Sequence, residues 1–102
     1  MTAMPKLTTV YWRDIPAQVI AKERRDNAKI VLTERFAVAI DKAAMRANMA
    51  GTDAYLEQWR QEAVNCGKDL QATVDAAAAK LEQDYDDARL AELVRSGGVE
   101  VS

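Results

Sequence analysis

An α+β domain, a small antiparallel sheet packed against three or four helices, is predicted by three features of this sequence. The stretch after the first five residues is rich in β-branched and aromatic side chains, which suit a pleated surface. From residue 33 onward the apolar side chains recur mainly at helical spacing. The two regimes are largely segregated along the chain, which favours α+β over an alternating βαβ arrangement. The 102 residues suffice for one domain. Because 19 of the hydrophobic residues are alanine, the core is adequate but thin.

The first strand is read as Lys6 to Arg13, through Leu7, Thr8, Thr9, Val10, Tyr11 and Trp12. Asp14-Ile15-Pro16 is expected to break it, since Asp favours turns and Pro lacks an N–H donor. Ala17 to Lys22 then completes a hairpin. Glu23 to Lys29 reads as a charged connector. Thr33 is placed to cap a first helix whose stripe is Phe36, Ile40, Ala43, Ala44 and Ala47, with Gly51 placed to end it. Thr52 or Asp53 opens a second helix of about three turns with Tyr55, Leu56 and Trp59 on its apolar face. Val64-Asn65-Cys66 is expected to add a short edge strand. From Asp69, the positions Leu70, Val74, Ala77, Ala78, Leu81 and Tyr85 define the best-determined helix. Asp86 and Asp87 either interrupt it or start a further helix carrying Leu90, Leu93 and Val94, which Gly97-Gly98 ends. Residues 1–6 are expected to be a flexible lead, 7–98 the domain and 99–102 a loose tail.

Composition excludes several function classes. There is no histidine, the commonest general acid/base and metal ligand at neutral pH. The single Cys66 cannot form an intrachain disulfide, and with no apolar signal segment a cytoplasmic location is expected. No apolar run approaches the length of a membrane span. A net charge of −2 gives no general attraction for nucleic acid. The charge is nevertheless uneven: residues 1–50 carry nine basic and five acidic side chains, residues 51–102 five and eleven. The halves either pack together with charges facing water, or present a bipolar surface that supports homo- or hetero-association.

Val10-Tyr11-Trp12-Arg13-Asp14-Ile15-Pro16-Ala17-Gln18-Val19 resembles the opening signature of the small bacterial virulence factor domain family. The likeness continues in Arg24-Arg25, Arg35-Phe36, Ala39-Ile40-Asp41, Ala43 to Arg46, Gly51 to Arg60 and Cys66-Gly67, covering the chain from about Leu7 to Gly98. The family takes its name from conserved virulence factor C, a larger protein in which a similar domain accompanies a scaffold-like domain and helical repeats. The resemblance implies a compact bacterial accessory domain set beside folate and corrinoid one-carbon chemistry. It carries over no catalytic residue.

Among candidate sites, Trp12, Arg13 and Asp14 with Gln18 across the turn bring an aromatic face, a guanidinium fork and an amide to a hairpin tip, a set able to grip a planar or carboxylate group. The plainer alternative is Trp12 packed under a helix with Arg13 and Asp14 paired locally. Trp59 and Arg60 pose the same choice, since Tyr55 and Trp59 at a spacing of four ordinarily belong to a core face. Arg24 and Arg25, with Lys22 and Lys29, form the one basic concentration and suit a phosphate or an acidic partner surface, or else a solvated connector. Glu82, Asp84, Asp86 and Asp87 read as a solvated acidic helix end, without the spacing of a calcium loop. Cys66 lacks a histidine base and reads as a small half-buried residue. No metal, nucleotide or redox motif occurs, so no cofactor is expected. The leading expectation is a non-enzymatic module that binds a protein partner through its hairpin and Trp-Arg segments. The alternative is a small-molecule carrier or enzyme with a pocket between hairpin and helices lined by Arg13, Asp14 and Gln18.

Overall fold

The computed structural model describes residues 4–100. Its elements run β1 (Lys6–Trp12), β2 (Ile15–Glu23), β3 (Asp26–Val31), α1 (Glu34–Arg46), α2 (Asp53–Glu57), β4 (Trp59–Asn65), α3 (Leu70–Asp84) and α4 (Asp87–Arg95). The strands form one antiparallel sheet in the order β3-β2-β1-β4, so the α+β class is present with four strands and four helices.

Several elements differ from the sequence reading. Arg13 and Asp14 alone link β1 to β2, with Trp12 opposite Ile15, and Pro16 lies inside β2 opposite Tyr11. A shift of register between Val10 and Tyr11 accommodates it there, because a bulge absorbs a residue that cannot donate to the ladder. The expected connector Glu23 to Lys29 is instead the end of β2, a two-residue turn at Arg24-Arg25 and most of β3. The second helix is five residues long, and Trp59 opens β4 rather than closing a helical face. The edge strand expected at Val64-Asn65-Cys66 is longer, and ends before Cys66. Helix α1 stops at Arg46, with Asn48 at φ 63 taking the left-handed role expected of Gly51. Lys6 pairs with Lys22, and Glu100 donates its N–H to Asp14 Oδ2 at 2.6 Å. The expected loose residues 1–3 and 101–102 lie outside the described residues.

Strand alternation sorts the sheet into two unlike faces. On one, Leu7 lies beside Ala21 and Ala28, and Thr9 beside Val19 and Ile30. This face packs into the core, chiefly under α3, whose Val74 and Ala78 are buried. On the other, Lys6 lies beside Lys22 and Asn27, Thr8 beside Ile20 and Lys29, and Val10 beside Gln18 and Val31. Of these side chains Val10 alone is buried, and none joins the main core cluster.

Helix α1 buries Phe36, Ala39, Ile40, Ala43 and Ala44, and packs on α4 through Leu90 and Leu93. Its small alanines let the two helices approach closely. Asp69 and Asp86 cap α3 and α4 by accepting from Ala72 N–H at 3.0 Å and Arg89 N–H at 2.8 Å. Thr33 precedes α1, but its side chain makes no cap bond. The Glu82 carboxylate of α3 does that work: it accepts the Thr33 N–H at 2.8 Å and hydroxyl at 2.9 Å, and pairs with Arg35 at 3.0 Å. Burial pushes this carboxyl up, but the Thr33 and Arg35 donors outweigh it and hold Glu82 below its usual range. The expected solvated acidic end is therefore solvated only in part.

Candidate functional site

The hairpin tip is held by its own side chains. Trp12 is fully buried; its indole N–H donates to the Tyr55 carbonyl at 2.9 Å, and the Tyr55 ring stacks on it at 5.6 Å. Gly98, at φ +92, passes so close that a Cβ there would stand 2.7 Å from the Trp12 ring, which explains why this position must be glycine. Arg13 follows at φ 54, a left-handed conformation that non-glycine residues rarely adopt. Its guanidinium donates to Gln58 Oε1 at 3.1 Å, the Gly97 carbonyl at 3.1 Å and Met49 Sδ at 3.3 Å. One side chain thus ties the turn to the end of α2, the end of α4 and the loop after α1.

Asp14 does not pair with Arg13. It takes Arg60 at 3.2 Å on one oxygen and the Glu100 N–H on the other. Arg60 also donates to the Arg13 carbonyl at 2.7 Å, pairs with Glu62, and lies 4.4 Å over the Tyr11 ring. Burial and then Glu62 push the Tyr11 phenol up, with Arg60 opposing. Arg13, Asp14 and Arg60 therefore converge, but on one another and on the backbone.

The remaining candidates lie elsewhere. Gln18 stands between Val10 and Val31 on the face away from the core. Arg24 and Arg25 are exposed in the second turn, Arg24 also at φ 54. Trp59 begins the edge strand, 37% exposed, with its ring edge-on to Tyr55 at 6.1 Å. Beside it a concavity of about 140 Å³ is lined by Ala17, Val31, Leu32, Ile40, Tyr55 and Trp59 among others, and by none of Arg13, Asp14 or Gln18. A larger groove, about 450 Å³, runs between α1 and α4 past Val38, Leu90 and Val94.

Sequence reasoning passed over Gln58, Met49 and Gly97 as the acceptors of Arg13, and Glu82 as a structural carboxylate. No local signal marks them, since each lies 36 to 84 residues from the group it serves. Among the described residues no group of three or more Asp, Glu or Cys side chains is arranged to hold a metal ion, and no helix is long and apolar enough to cross a membrane. Comparison with known proteins gives one match: the family model described as Virulence factor fits residues 10–94. No curated protein and no solved structure matches the chain.

Proposed function

The chain belongs to the virulence factor family, and on that premise we propose that it is a small non-enzymatic accessory domain that binds a protein partner on its open sheet face. The observation that carries this reading is the contrast around Trp59. The polar candidates Arg13, Asp14 and Arg60 are engaged within the fold, whereas Trp59 is 37% and Val31 65% exposed at the rim of the open face. A half-exposed tryptophan on an aromatic support is the kind of anchor that dominates binding energy at protein interfaces. The alternative, a small-molecule pocket between hairpin and helices, has less support. The concavity there is smaller than the 300–1,000 Å³ or so typical of ligand sites, and the polar residues proposed to serve it do not line it.

The family resemblance favours a partner from a folate or corrinoid methyl-transfer system. A single free cysteine, Cys66, suits a reducing, cytoplasmic compartment. The test is a photo-crosslinking residue placed at Val31 in living cells, with one at the exposed Asp75 of α3 as control. A discrete adduct to another protein is expected from position 31 and not from 75, and it should disappear when Trp59→Ala is added. No adduct at 31, or adducts to this chain alone, would overturn the reading.

A further inference from the structure

We propose that the segment bound on the open sheet face is an acidic polypeptide, recognised by Lys6, Lys22 and Lys29; this rests on the docking reading above. The carboxylates of the strands all lie on one face, which also carries Arg60, and the lysines all lie on the other. Lys6, Lys22 and Lys29 alternate onto the open face, while the carboxylates Glu23, Asp26 and Glu62 all alternate onto the other. Lys6 and Lys22 stand directly opposite each other on neighbouring strands, a like-charge pairing that destabilises a sheet, with Lys29 diagonal to Lys22. None of the three is in an ion pair among the described residues. Arg24 and Arg25 extend the positive row past the end of the sheet. A chain of net charge −2 thus keeps one face without a carboxylate on any of its four strands.

The chemistry selects among occupants. A second copy laid on this face would set lysines against lysines. Single-stranded nucleic acid is held by aromatic rings spread across a sheet, and here the middle of the face is Thr8, Val10 and Ile20. A segment with acidic residues in one half and apolar residues in the other satisfies both parts: carboxylates over the lysines at the Lys6–Lys22 end of the face, apolar side chains over Ile20 and towards Trp59. Charge-assisted contacts of this kind set specificity and association rate.

The probe is a synthetic peptide of about twelve residues with Glu throughout one half and Leu at alternate positions of the other, titrated into the ¹⁵N-labelled full chain. A Gln-for-Glu peptide and an oligouridine of equal length are run beside it. Expected are amide shifts at Thr8, Ile20 and Lys29, and an affinity at least tenfold weaker in the Lys6→Gln, Lys22→Gln, Lys29→Gln triple variant. Lys22→Gln alone should weaken it in the same direction, with melting temperature unchanged or raised. Equal binding of the Gln peptide, tighter binding of the oligouridine on this face, shifts confined to other surfaces, or an unaffected triple variant would each overturn the proposal. The two readings separate in the crosslinking assay. If the Val31 adduct survives in the triple variant, acidic recognition fails and docking stands; if wild type gives no adduct, docking itself fails.

Discussion

Arg13 and Arg24 occupy the same place in two successive hairpins, each the first residue of a two-residue turn and each at φ 54. Their surroundings are opposite. Arg13 is half-buried and its guanidinium joins three other parts of the chain, whereas Arg24 is exposed and makes no side-chain hydrogen bond among the described residues. A left-handed backbone at a residue with a Cβ costs roughly 1–2 kcal/mol. At the first turn, hydrogen bonds from a charged donor offset that cost; at the second, no contact of the arginine side chain does. Identical local geometry therefore serves as a clamp in one place and displays a free cation in the other.

The comparison breaks first at Trp12, which underlies the first turn and has no equivalent at the second. Trp12→Ala should cost about 3–5 kcal/mol, since it empties the largest fully buried side-chain site and removes the indole donor to the Tyr55 carbonyl. Denaturant unfolding would measure it, and a loss under about 1 kcal/mol would mean that the hairpin tip is not part of the cooperative core. The paired exchange Arg13→Lys and Arg24→Lys sharpens the contrast at constant charge. A lysine at 13 cannot reproduce the planar fork, so a loss of about 1–2 kcal/mol is expected there. The loss at 24 should stay within about 0.5 kcal/mol, and equal effects on the two melting curves would abolish the distinction.

The smallest expected effect concerns the other clamp, closed by a carboxylate. Folding lowers the Glu82 pKa, so its contribution is complete above the ordinary carboxylate range and fades as pH falls through the lowered folded value. Glu82→Gln should therefore be less stable than wild type at pH 7, with the gap narrowing on acidification below about pH 4. Thermal melts across that range would show it; a gap that widens in acid would reverse the assignment.

What the sequence disclosed and what it hid divide along a physical line. The Lys6–Trp12 strand and the Leu70–Asp84 helix carry their periodicity in large side chains, and both stand where the residues place them. Strand β3 escaped notice because its apolar inward positions are only Ala28 and Ile30, and the rest is polar apart from the exposed Val31. Strand β4 misled because Tyr55 and Trp59 do meet, but across a helix end and a strand start rather than on one helix. Pairing with β1 prevailed there over the local helical pattern. At the site, the residue types of the Trp-Arg segments were legible. Their long-range acceptors were not, because nothing near Arg13 in sequence points to Gly97.

That last bond joins positions 84 residues apart, and Asp14 reaches Glu100 across 86. Contacts of such separation are made late, because closing a long loop costs entropy before the contact is gained. During synthesis, the hairpin carrying Trp12 emerges well before Gly98, and the side of the indole that Gly98 covers stays open until it arrives. Until then the nascent chain displays part of an apolar ring beside an unfinished sheet edge, the state in which aggregation competes with folding. A break in the backbone near Ser96 would return the finished protein to that same vulnerable condition.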